Sequence, residues 1–358
     1  MAADAIWHCQ NTISTMSIEL PVLRLGLVGF SAEQHERIAR LLVSPAAGGM
    51  VWQTGKFSEA DAWCVNSART QSLADGTLRV ASGLPSGRSV QFNLEEVDRP
   101  IAFSMPPAAC ELVSTYRFDL DSDASIRAVL ARFESWLQPL TAQFYLASHI
   151  IDNESALGRG VYHVIAHGRL LAVVDLQGEV GVLPTAGPGD FEDALWTARP
   201  ASAAGIPEGF VRASLSQLMW QYAVRTLRDA LPKRYRSGPL YFRRLPRLPQ
   251  RLLTDSHLLL LRELAGGPAS FEDLQQRTGL GDKPLARSLT ALYLVGSITS
   301  NPKRAGACRI ASRPAEDPDS AHGIGHSLSP LGMDSQPVSN RPRPAPSDLT
   351  APAPLSLE

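Results

Sequence analysis

The stretch VLRLGLVGF, Val22 to Phe30, runs straight into SAEQHERIARLLV. The first segment is apolar on both faces, as a strand buried inside a parallel sheet must be. The second opens with Ser31 and has Gln34 three residues on, the spacing of a capping box. Ile38, Leu41 and Leu42 then fall on one helical face. A buried strand that turns directly into an amphipathic helix is the opening of an α/β layer architecture. The run Ala62 to Val65 in ADAWCVNSA is a second buried strand. SVQFNLEEV and RPIAFSMPP are further strand candidates, the latter ending at Pro106.

Beyond this region, DASIRAVLARFESWL places Ile126, Val129, Leu130, Phe133, Trp136 and Leu137 at a 3.6-residue period, which predicts a helix that Pro139 bends or splits. The segment GVYHVIAHGRLLAVVDLQGEVGVLP has three short apolar runs punctuated at His167-Gly168 and Gln177-Gly178. It predicts a three-stranded antiparallel meander. A glycine-rich loop, TAGPGDFEDALW, and a long helix from about Glu208 to Leu231 complete an α+β middle domain. Residues 233–251 are different in kind. They hold seven basic residues and no acid, with Tyr235, Tyr241 and Phe242 interleaved, and Pro239, Pro246 and Pro249 point to an extended connector.

Three capped helices follow. Thr254 or Asp255 opens the first, which stops at paired glycines. Ser270 with Asp273 opens the second, and Asp282 with Pro284 in the first turn opens the third, which ends at Gly296. SITSNPKRAGACRI then forms a strand or a two-stranded wing. Residues 312–358 are a proline-rich tail: nine of the 27 prolines fall in the last 48 residues, and such a composition buries too little apolar surface to fold. The expected organisation is a start at 1–20 that is disordered or mis-assigned (Met16 is an alternative initiator), an α/β domain over 21–120, an α+β domain over 121–232, a connector over 233–251, a helical module over 252–311 and a disordered tail.

Two resemblances follow from these residues. Over roughly residues 22 to 110 the chain resembles the receiver domains of bacterial signalling proteins, which have a flavodoxin-like fold. The likeness rests on the first strand and helix, the five-residue spacing from Asp61 to Asn66, and a last strand ending before a proline. It implies that Asn66 occupies the phosphoacceptor position and that Met105 occupies that of the family's lysine. The acidic metal-binding pair of the family corresponds to Gly29, Phe30 and Ser31, which carry no acid. An amide cannot form an acyl phosphate, so the resemblance implies a phosphorylation-incompetent pseudo-receiver. Residues 252 to 311 resemble a winged helix-turn-helix. This implies that the third helix presents Lys283, Arg287, Ser288 and Thr290 to a partner, with Lys303, Arg304 and Arg309 on the wing.

No GxSxG, P-loop, HExxH or spaced Cys/His cluster is present, so the sequence points to no catalytic, cofactor or metal site. His163 and His167 flank a turn, and His149 lies near Asp152 and Glu154 without a nucleophile. The four cysteines form no CxxC, and Cys64 reads as a small core residue. A net charge of −1 means that any electrostatic partner is attracted locally. The local excess lies in Lys233, Arg234, Arg236, Arg243, Arg244, Arg247 and Arg251. Such a run attracts phosphate, and its aromatics can stack on bases. Equally, its arginines can cap helix ends and pair with nearby acids. With no secretory signal and no long apolar run, the expectation is a cytoplasmic, non-catalytic bacterial regulator. It is expected to bind DNA or, alternatively, to dock on a protein as an adaptor, with a homodimer as a further possibility.

Overall fold

The computed structural model describes residues 19–43, 50–73, 76–85, 87–105 and 116–306. Strand β1 (Val22–Val28), helix α1 (Ala32–Val43), β2 (Val51–Gly55) and β3 (Ala62–Val65) open the chain. Three short strands follow, β4 (Thr70–Ser72), β5 (Thr77–Val80) and β6 (Val90–Asn93), then β7 (Ile101–Ser104) and β8 (Tyr116–Phe118). Five of these form a parallel sheet in the order β2-β1-β3-β7-β8. The segment ending before Pro106 is therefore not the last strand, and Met105 does not stand on the sheet's final strand. Residues 106–115, Cys9, Cys110, Cys308, Arg309 and the tail lie outside the described residues.

Alternation along β3 divides the sheet's two faces. Ala62 and Cys64 face a core with Leu23, Leu25, Ile38 and Phe118, covered by α1 and the start of α2 (Asp123–Asp152). Trp63 and Val65 face a second core with Leu78, Val80 and Phe103. This second face carries the antiparallel sheet β4-β5-β6, which fills the crossover between β3 and β7. SVQFNLEEV thus contributes β6 to that small sheet and no strand to the parallel one. Phe57 stacks on Trp63 at 3.9 Å between ring centres, and Phe92 closes the cluster.

Helix α2 runs unbroken through Pro139 for 30 residues. A proline inside a helix costs about 3 kcal/mol, and burial of the helix on two separate cores offsets it. Its first half (Ile126, Val129, Leu130, Phe133, Leu137) belongs to the parallel sheet, and its second half (Phe144, Tyr145, Leu146, Ile150) to the next layer. That layer contains the expected meander, β9 (Val161–Ala166), β10 (Arg169–Asp175) and β11 (Glu179–Val182). The first turn is made by His167 and Gly168, both at positive φ, as a two-residue hairpin demands. After the short helix α3 (Pro188–Glu192), strand β12 (Leu195–Arg199) joins β9, and β13 (Val211–Ser214) joins β11, giving five antiparallel strands.

The helix expected from Glu208 to Leu231 is shorter. Residues 211–214 are β13, and α4 (Leu215–Arg225) begins only where Ser214 and Gln217 close a capping box. Next come the short helix α5 (Arg234–Ser237), strand β14 (Tyr241–Phe242), helices α6 (Asp255–Gly266), α7 (Phe271–Thr278) and α8 (Asp282–Leu294), and strand β15 (Ile298–Thr299). The basic segment is therefore no free connector, since β14 pairs with β15 and Leu240 bridges Ala269. The strand after α8 takes its partner from this upstream segment. Nor does the core of the helical module begin at 252, because it includes Trp220 and Ala223 of α4 as well as Tyr235 and Leu240. Among the described residues there are eight α-helices, and no helix is long and apolar enough to cross a membrane.

Candidate functional site

Asn66 follows the last residue of β3, beside the point where the sheet order reverses, between β1 and β3. In open α/β sheets this is where ligands are held. Here the amide is consumed by the fold. Its Nδ2 donates to Gly29 O at 2.9 Å, and its Oδ1 accepts from Ala68 N at 3.1 Å and from the Ser104 hydroxyl at 3.3 Å. The Ser104 hydroxyl in turn accepts from Ser67 N at 3.0 Å. Gly29 sits at φ +81°, and a Cβ there would stand 2.9 Å from Val80 Cγ1 and 3.1 Å from the Asn66 Cβ, so the backbone is closed down on the amide. Ser31 and Gln34 make the expected cap on α1.

The seven basic residues of 233–251 separate into two groups. Arg236 is half-buried and spoken for: it pairs with Asp229 at 2.8 Å and Asp282 at 3.3 Å, and its guanidinium lies over Phe271. Arg234 lies over Tyr235, and Lys233 is exposed just before α5. Arg243, Arg244, Arg247 and Arg251 are exposed. Arg243 N donates to Ser297 O at 2.9 Å, which continues the β14–β15 ladder. Arg244 Nη2 donates to Val295 O at 3.3 Å, at the carboxyl end of α8. Past β15, Gly306 N donates to Phe242 O at 2.9 Å, so the chain folds back and brings exposed Lys303 and Arg304 to the same ribbon. Among the described residues, no carboxylate lies within ion-pair distance of Arg243, Arg244, Arg247, Lys303 or Arg304.

Helix α8 differs from its expected role. Lys283 is exposed at its start and Arg287 is half-buried, but Ser288 is 8% and Thr290 3% exposed. The Thr290 hydroxyl donates back to Ala286 O at 2.8 Å. The helix is covered by α4 and the rest of the helical core, so Ser288 and Thr290, two of the four side chains expected to reach a partner, are packing residues.

A buried ionic region went unread in the sequence. Asp61, at the start of β3, accepts from Arg24 N at 2.8 Å and pairs with Arg225 of α4. Arg24 Nη2 reaches Val224 O at 2.7 Å, and burial pulls its pKa down against the raising effect of Asp61. Glu19 accepts from Tyr222 OH at 3.0 Å, from Arg228 Nε at 2.9 Å and from the Thr226 hydroxyl. The signal was available: Arg24 and Asp61 interrupt apolar runs, and a charge in a strand must find a partner.

The histidines stand apart. His149 stacks on Phe191, where burial lowers its pKa; His163 Nε2 meets Ala203 O at 2.9 Å; His167 is exposed at its turn. Burial pushes the Cys64 thiol up to about 12, which makes it inert. Among the described residues no group of three metal-ligating side chains is assembled. No protein-family model, curated protein or solved structure matches the chain.

Proposed function

We propose that the chain is a non-catalytic regulatory protein whose C-terminal basic ribbon contacts DNA, with a receiver-like, phosphorylation-incompetent layer as its scaffold. The observation that carries this reading is the ribbon itself. Arg243, Arg244 and Arg247 are joined on it by Lys303 and Arg304, and among the described residues no carboxylate answers them. Exposed cations gathered from two distant segments and left without counter-charges suit a polyanion. The parallel order β2-β1-β3-β7-β8 supports the flavodoxin-like likeness. The Asn66 network supports a scaffold that takes no phosphoryl group.

The test is fluorescence anisotropy of the full chain with duplex DNA across a salt series. Binding that weakens steeply with salt is expected. Its absence at low salt overturns the reading. The full chain is required because residues 233–306 alone lack the α4 side chains that complete their core.

A second reading, a protein-docking adaptor, is favoured by two observations. Helix α8 is packed and unavailable to a groove, and Leu245 stands 69% exposed among the arginines. It expects no duplex binding at physiological salt and a protein partner held by the same ribbon.

A further inference from the structure

We infer that DNA, on the reading above, is gripped by its phosphodiester backbone on the β14–β15 ribbon and is not read by α8. This departs from what the winged-helix likeness implies for the third helix. A reading helix must offer a free face to the major groove. In α8, Leu285, Ala286, Ser288, Leu289, Thr290, Ala291 and Leu292 are all buried, and only Asp282, Lys283 and Pro284 stand exposed at its start. Asp282 there is an acid that would face phosphate, and it is already paired with Arg236.

The ribbon has the opposite character. Gly296, at φ +69°, leaves its side-chain position empty. A Cβ placed there would stand 3.2 Å from Arg244 Nη2 and 3.3 Å from Arg243 Nη1. Two guanidinium groups thus converge on one point beside the end of α8. Like charges so close are relieved by an anion shared between them, and the planar fork of arginine suits phosphate oxygens. Lys303 and Arg304 return to the same strand through the Gly306–Phe242 hydrogen bond, and Arg247 extends the row. The result, among the described residues, is a cationic surface set by backbone geometry. Contacts of this kind position a protein on a duplex and carry no sequence information.

The experiment uses the full chain and two fluorescent duplexes of equal length and unrelated sequence, titrated from low to moderate salt. Four phosphate contacts, one of them shared by Arg243 and Arg244, give a slope of log K against log salt of about −3.6. The two duplexes are expected to bind within about twofold of each other. Arg243→Ala with Arg244→Ala, which removes the one shared phosphate contact, is expected to lower the slope by about 1 unit. Arg247→Ala with Arg304→Ala, whose side chains make no bond among the described residues, is expected to lower it by about 2 units. This second pair guards against a fold defect from losing the Arg244 contact to Val295. Lys283→Ala is expected to change little. The inference is overturned if Lys283→Ala removes binding while both arginine pairs retain it, or if the duplexes differ by more than about tenfold. Failure of the unaltered chain to bind either duplex sinks the proposed function as well, so the two failures are distinguishable.

Discussion

At the scale of single residues, Asn66 shows how one side-chain atom decides between two histories. If the position were a phosphoacceptor that had merely lost its acid, restoring the carboxylate would be tolerated. The hydrogen bonds say otherwise, because Nδ2 donates to Gly29 O and a carboxylate oxygen in its place would face that carbonyl at 2.9 Å. Burying an unpaired charge beside a lone pair costs more than losing a neutral bond. Asn66→Asp is therefore expected to destabilise the protein by at least about 2 kcal/mol, read from the denaturant midpoint. It is also expected to take up no phosphoryl group from acetyl phosphate. A variant as stable as the parent would remove the structural account of this amide.

At the scale of elements, two helices do the joining. Helix α2 presents one half to each sheet. Helix α4 presents Leu218, Met219 and Tyr222 to the antiparallel layer, and Trp220 and Ala223 to the helical module. Adjacent residues on opposite faces are why its amphipathic pattern reads as one broad stripe. Trp220 is 2% exposed and touches the His257 ring at 4.5 Å between centres. Trp220→Ala is expected to cost about 3–5 kcal/mol. Hydrogen exchange is expected to show protection lost in α6 and α8 more than in β1 or β3. Uniform loss across all elements would mean that α4 does not act as a local joint between the layers.

At the scale of the whole molecule, the joint between the parallel sheet and the helical module is charged and buried. Asp61 holds Arg225, Arg24 reaches the end of α4, and His257 stands at the same boundary against Trp220 and within the field of Arg24. Burial, aided by Arg24, lowers the His257 pKa to about 4. The unfolded chain binds this proton near pH 6.5 and the folded one only near pH 4. Stability from the neutral ring is thus fully present above pH 6.5 and is lost as pH falls towards 4, by up to about 3 kcal/mol. His35 and His149 are shifted in the same direction by burial and add to the trend. His257→Gln keeps the capping-box reach to Thr254, since glutamine serves at that position. It is expected to flatten the pH dependence of the melting temperature between pH 4 and 6.5. An unchanged profile would show that this histidine is not held neutral.

The sequence by itself determined the local grammar. The capping boxes at Ser31 and Ser270, the meander with its His167-Gly168 turn, and the buried runs of β1 and β3 all follow from residue type and spacing, because caps and periodicity act within a few residues. What it could not decide is which surface each element spends on which neighbour. The placement of β6 in a separate sheet, the fifth strand β8, the burial of Ser288 and Thr290 and the capture of the basic segment by β15 are pairings between residues distant in sequence. An exposed polar face and one covered by another helix have the same composition, and only packing tells them apart. The Asp61–Arg225 pair spans 164 residues, and nothing local to either charge names the other.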